Sequence, residues 1–304
     1  MRWFETPDFN FLKGHKIAYY VSGILLLASL VGILTKGLQY GIDFKGGKEF
    51  VLQFEQPVDV IDIRSELTEP LGGTPVVKLY GSPEEVLIRT DNPQDISEVQ
   101  RLITNTMSEV YSDNPATVIK TDIVGARFAE DLKRGAINAI IFALIVIFIY
   151  ILIRFKNWTY SAGAVAALFH DVLIVVGVFT FLADIVPFSL QIDQAIIAAF
   201  LTIVGYSLND TVVVFDRIRE NSLLYKTMDH DEMVNKSLND TLSRTVITSV
   251  TTFFVVTILF IFGGEVLKGF SFALMLGVII GTYSSLFVAS STVVEIQRYK
   301  EEKA

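Results

Sequence analysis

Six long apolar runs dominate the chain, at residues 17–35, 136–153, 160–183, 194–215, 245–263 and 270–293. Each approaches or exceeds the ~20 residues that a helix needs to cross a bilayer. They predict a polytopic α-helical membrane protein in which one transmembrane helix is followed by a polar insertion and then by five more (1+5). Within the insertion, 36–135, the periods are shorter. Residues 49–54, 76–80, 86–89 and 117–123 read as strands, and 58–68 and 95–111 as helices. Ile96, Val99, Leu102, Ile103 and Val110 share one face of the second helix. The order βαββαβ is that of the split βαβ, ferredoxin-like module, so the insertion is expected to be a small α+β domain. Val124, Phe128 and Leu132 recur every four residues, which predicts a separate amphipathic helix over 124–135 lying on the membrane surface.

Composition agrees with this pattern: 51% of residues are hydrophobic, and the mean hydropathy is +0.49. Without cysteine, the chain has neither a disulfide frame nor a thiolate metal or redox site. The net charge of −8 is uneven, with sixteen acidic and eight basic residues between positions 41 and 130. That balance is unsuited to nucleic acid. Basic residues gather elsewhere: Arg154 and Lys156, then Arg217, Arg219, Lys226 and Lys236, then Arg298, Lys300 and Lys303. The positive-inside rule then places the N-terminus (1–16), the loop 216–244 and the tail 294–304 in the cytoplasm, and the insertion outside. Lys13 and Lys16 precede the first run, but its 19 residues exceed a signal-peptide core of ~7–15, so it reads as an uncleaved anchor. Trp3, Phe4, Phe9 and Phe11 suggest an interfacial segment ahead of it.

Candidate chemistry lies where polar residues interrupt the apolar runs. Asn209 and Asp210 fall before the fourth run is finished, and an acid at the membrane centre costs roughly 2.5–3.5 kcal/mol on insertion scales. Thr202, Tyr206 and Asn209 line one side of that helix. The fifth run opens on a polar stripe, Thr241, Arg244, Thr245, Thr248 and Thr252. Asp210 precedes Asp216 by about 9 Å of helix, and Arg244 follows Asp240 by about 6 Å, so the two are expected at similar depth and as partners. Two readings compete: a static buried ion pair, or a carboxylate that loads and releases a proton beside a guanidinium, with nearby hydroxyls holding water. His170 and Asp171 in the third run pose the same choice, a locally satisfied pair or a step in a proton path. His230 among Asp229, Asp231 and Glu232 reads as a solvated acidic turn, since one histidine without regular spacing does not make a metal site. Gly46 and Gly47 lack the spacing of a phosphate loop and read as a tight turn into the first strand. Small residues Ser161 to Ala164, and Gly277-x-x-x-Gly281, mark seams for close helix approach.

Five stretches carry a resemblance over essentially the whole length: GIDFKGG at 41–47, His170-Asp171, VGYSLNDTVVVFDRIREN at 204–221, TLSRTVITS at 241–249, and the FGG…LxGF pattern over 262–270. In these the chain resembles the SecF branch of the SecD/SecF family, within the resistance–nodulation–division superfamily. The resemblance implies a six-span half paired with the six spans of SecD in the bacterial cytoplasmic (inner) membrane. It implies work at the SecYEG translocon, with YidC as a further partner, in late steps of export of an unfolded polypeptide. Membrane lipid is the surrounding medium. The proton gradient is the implied energy source, with no cofactor, no metal and no hydrolytic site. Asp210 and Arg244 match the family's charged transport residues. The alternatives are a purely structural scaffold in the same complex, and a small-molecule proton-coupled exporter of the superfamily.

Overall fold

The computed structural model describes residues 8–183, 185, 186, 188–301 and 303; Trp3 and Phe4 of the expected interfacial segment lie outside them. Six described helices are long and apolar enough to cross a membrane. The first, α1 (Phe11–Lys36), starts where the Asn10 side chain accepts from the Lys13 N–H, an N-cap that satisfies an otherwise orphaned donor. Phe11 is buried and packs on Phe287, while the backbone of Phe9 is held by the side chains of Asn235 and Asn239. The entry segment is therefore docked on the bundle.

After α1 a short helix, α2 (Ile42–Lys45), leads through Gly46 and Gly47 into β1 (Gly47–Phe54). Gly46 and Gly47 have φ of 75° and 123°, the region that glycine adopts without strain, and a Cβ on Gly47 would stand 3.0 Å from the Thr90 carbonyl oxygen. The domain continues with α3 (Val60–Thr68), β2 (Val76–Tyr80), β3 (Ser82–Thr90), α4 (Ile96–Val110) and β4 (Ala116–Val124). Its strands lie in the order β2-β3-β1-β4, every neighbouring pair antiparallel. That is the ferredoxin-like arrangement predicted from the pattern. Phe50, Leu52, Ile63, Ile88, Ile103 and Met107 form its core, fully buried between one sheet face and the two helices.

The other sheet face turns to the membrane helices and carries charge. Arg89 donates to Glu49 at 2.6 Å and to the Tyr40 carbonyl at 3.1 Å, and Lys120 bridges Glu49 and Asp122. With Asp43, Gln191 and Asp193 these residues line a cavity of about 290 Å3 at the junction.

The chain re-enters the bundle as α5 (Ala126–Phe155), followed by α6 (Trp158–Leu182), α7 (Gln194–Leu224), α8 (His230–Phe262) and α9 (Glu265–Ser284). A single π-helical turn, Ser285–Ala289, joins α9 to α10 (Ser290–Glu301). Two expectations are corrected here. The separate surface helix over 124–135 is instead the opening of the 30-residue α5, because nothing between Ala126 and the membrane run stops a helix: Gly135 weakens one without ending it. The segment 216–244 is for the most part not loop. It is divided between extensions of α7 and α8, and only 225–229 connect them, capped by Asp229 accepting from Asp231 and Glu232 N–H groups.

The helices are unequally buried. About half of the membrane windows of α6 and of α9–α10, and 44% of that of α7, are covered by protein, against 6% for α5 and 17% for α8. The glycines foreseen as seams are at the centre. Gly281 would set a Cβ 3.0 Å from that of Ser207, and Gly163 one 2.9 Å from the Ala289 carbonyl oxygen. Without side chains there, α9 lies directly on α7 and the π-turn lies directly on α6.

Candidate functional site

The sheet domain is fixed to the helix that carries Asp210. Residues 39–41 and 192 pair as a strand-like bridge, with the Gly41 N–H donating to the Ile192 carbonyl and the Ile192 N–H to that of Gln39, both at 2.8 Å. Asp43, from the GIDFKGG stretch, accepts from the Gln194 N–H at 3.0 Å, and Asp193 accepts from the Ile196 N–H at 2.8 Å. Two carboxylates thus meet the N-terminus of α7, where unpaired N–H groups and the helix dipole favour negative charge. Burial holds the Asp193 carboxyl above its ordinary range; the Asp43 charge adds to this and the capping bonds oppose it. From Gln194 to Asp210 is about 24 Å of helix.

Asp210 is 3% exposed. Among the described residues its one side-chain hydrogen bond is long, 3.5 Å, and comes from the Ser249 hydroxyl of α8. Ser249 is in turn approached by Thr282 of α9 at 2.6 Å and by Tyr206 of α7 at 3.4 Å. Arg244 is not its ion-pair partner. The guanidinium is exposed and lines a cavity of about 340 Å3 on the side of the bundle away from the sheet domain. Asp216 and Asp240, which share that cavity, already pair with Arg154 at 2.7 Å and Arg217 at 2.8 Å. The cavity reaches Val213, one turn beyond Asp210. Spacing along each helix leaves the rotation of α8 open: Ser249, not Arg244, occupies the face turned to Asp210.

The other proposed site residues fall unevenly. Asn209 is exposed on α7, and Thr248 donates to the Arg244 carbonyl on its own helix at 2.9 Å. His170 and Asp171 are both buried and are bonded to each other, Nδ1 to Oδ1, at 2.9 Å. Asp171 Oδ2 also accepts from Ser207 of α7 at 2.6 Å and from Ser284 of α9 at 2.7 Å. His170 Nε2 lies 3.0 Å from the Ser22 hydroxyl of α1, which lies 3.0 Å from the Tyr283 hydroxyl. Ser22, Ser207, Ser249, Thr282, Tyr283 and Ser284 were not singled out from the sequence. The signal for three of them was the run Thr282-Tyr283-Ser284-Ser285 inside an otherwise apolar span, where hydroxyls need partners on neighbouring helices.

A membrane protein of six spans, with a ferredoxin-like domain after the first and a buried carboxylate in the fourth, is thus defined before any comparison. Residues 103–299 match the family model described as protein export membrane protein SecD/SecF, C-terminal, and residues 31–58 match the SecD/SecF GG motif. The chain belongs to the SecD/SecF family. It is 59% identical over 297 residues to the protein translocase subunit SecF of Rhodothermus marinus, covering 98% of this chain and 96% of that one. To the SecF subunit of Haemophilus influenzae it is 39% identical, covering 97% and 88%. The crystal structure of SecDF, a translocon-associated membrane protein from Thermus thermophilus, superposes with a TM-score of 0.86 at 36% identity. It covers 97% of this chain, which spans 40% of that longer one. The chain is a SecF-type subunit of protein translocation, a transport component.

Proposed function

We propose that this subunit couples inward proton flow to late steps of polypeptide export, with Asp210 as the group that takes up and releases the proton. The observation that carries this is the setting of Asp210: buried in the fourth span, with one long hydrogen bond and, among the described residues, no cation at ion-pair distance, Arg244 acting on it only through space. A buried charge so poorly compensated is costly, and gaining or losing a proton removes or restores it. A cavity approaching within one turn from the side of the termini supports an inner route to it. Arg244 lines this route and attracts or repels charge there without locking the carboxylate. The locked-pair scaffold reading loses its main support, since the expected ion pair is not formed.

In this reading both termini are cytoplasmic, the membrane is the bacterial inner membrane and the sheet domain is external. SecD supplies the other six spans, and with them a second essential acid. SecYEG delivers the unfolded chain, with YidC and lipid as neighbours, and no cofactor is involved. The external domain, attached to the N-terminus of α7 through Asp43 and residue 192, moves with the helix that bears Asp210. The test uses membranes containing the assembled complex with Asp210→Asn, nearly isosteric but unable to release a proton. Precursor export is followed with and without an imposed proton gradient. The gradient-driven increment is expected to disappear while basal export and assembly remain. An unchanged increment would rule out proton carriage at Asp210.

A further inference from the structure

The buried cluster around His170 can be read by counting hydrogens. Tyr283 of α9 donates its only hydroxyl hydrogen to the Ala18 carbonyl of α1 at 2.8 Å. In its contact with Ser22, 3.0 Å away, Tyr283 must therefore accept, and Ser22 donates. That uses the one hydrogen of Ser22, so in the 3.0 Å contact between Ser22 and His170 the donor has to be Nε2–H. On the other side of the ring, two hydroxyls converge on Asp171 Oδ2, Ser207 at 2.6 Å and Ser284 at 2.7 Å, the latter also 3.1 Å from the Gly281 carbonyl oxygen, and hydrogen bonding of this kind favours the carboxylate. The 2.9 Å contact to its Oδ1 is then made by Nδ1–H. Both ring nitrogens donate, which only the imidazolium does.

We propose that His170 and Asp171 form a second proton-holding site, an imidazolium on a carboxylate, which ties α1 to α6 and α9 through Ser22 and Tyr283. The pair is neutral overall, as burial at 3% and 0% exposure demands. If Nε2 gives its proton to water, Ser22 must turn its hydrogen to Nε2. Tyr283 then has one hydrogen for two acceptors, Ser22 and Ala18, and one contact between α1 and α9 is lost. Because α1 runs directly into the GIDFKGG stretch and the sheet domain, the charge state of His170 is set in the same bonds that seat the helix bearing that domain. The π-turn that follows Ser284 is a feature often found at functional sites.

Among the described residues, the titratable groups recorded against the ring are Asp171 and Tyr283. Tyr283 stacks on it with ring centres 6.0 Å apart, α1 offers Ser22 and α7 offers Ser207, while Asp210 turns to Ser249. The charged residues of α5 lie in its first three turns and at Arg154, and those of α10 begin at Glu295. The bearing of this site on export rests on the proton-driven reading above; its chemistry does not.

The test is nitrogen-15 magnetic resonance of histidine-labelled SecD–SecF complex in membranes near neutral pH, with the His170 signals assigned by their absence in His170→Gln. Both ring nitrogens are expected to be protonated, and Ser22→Ala, which removes the acceptor for Nε2–H, is expected to cause loss of the doubly protonated form. A neutral ring in the unaltered protein overturns the proposal. If His170→Gln does not accumulate, the change caused by Ser22→Ala supplies the assignment, and no change there also overturns it. Asp210→Asn is expected to leave these signals as they are. Loss of the gradient response in that variant therefore bears on Asp210 alone, and a neutral His170 beside a normal gradient response refutes this site alone.

Discussion

Two buried aspartates stand on neighbouring helices, and their surroundings have opposite character. Asp171 accepts three hydrogen bonds, from an imidazole and two hydroxyls on two other helices, each no longer than 2.9 Å. Asp210 accepts one, at 3.5 Å. Both carry the burial penalty of a carboxylate, but it is offset by three close hydrogen bonds at Asp171 and, at Asp210, only by one long bond and the more distant charge of Arg244. A fully satisfied polar cluster fixes helices in place, whereas a nearly unsatisfied acid is free to change its charge with little structural loss. On the proposed reading Asp210 carries the moving charge, while Asp171 is held among three helices.

The sharpest way to break this comparison is to remove each acid in turn. Asp171→Leu leaves His170, Ser207 and Ser284 without their common acceptor and is expected to cost about 3–5 kcal/mol, the range for breaking a buried pair. Asp210→Asn forfeits a single weak bond and is expected to cost less than about 1 kcal/mol. Denaturant unfolding of the purified complex measures both, and equal losses would erase the distinction. A smaller effect is expected one layer away. In Gly281→Ala the new methyl meets Ser207, which has to move while bonded to Asp171, for about 1–3 kcal/mol of overpacking cost. The same substitution at Gly205, whose Cβ would meet nothing, is the control.

The smallest effect concerns the junction, where a third carboxyl behaves differently again. Asp193 has its folded pKa raised, by burial first and by Asp43 second, above an ordinary value of 3.8. The folded state therefore binds the proton more tightly than the unfolded state. Its stabilising contribution is complete below 3.8 and is lost as pH rises through the raised folded value. Asp193→Asn, which keeps an N-capping side chain, is expected to raise the melting temperature at neutral pH and to flatten its dependence across that interval. A steeper dependence in the variant would show that the carboxyl is not under burial strain.

Much of this was legible in the chain. The six apolar runs, the βαββαβ pattern and the Gly277–Gly281 seam follow from periodicity, because burial against lipid or a sheet leaves a regular imprint on residue type. Asp210 announced itself for the same reason: an acid within an apolar run is rare and costly. Its partner was not legible. Arg244 and Ser249 are five residues apart on one helix, and which of them faces Asp210 depends on how α8 is rotated against α7 and α9.

The sequence by itself determined the number of spans, the place and topology of the inserted domain, and which acids are buried in the membrane. These depend on local composition and on the length of each run. Only the tertiary structure decided that Asp171 is surrounded by Ser207 and Ser284, that Asp210 is left with Ser249, and that Asp43 caps the helix leading to it. Those contacts join residues 36 to 151 positions apart. Their geometry is set by helix rotation and close approach at glycines, which a linear pattern of polar and apolar residues does not encode.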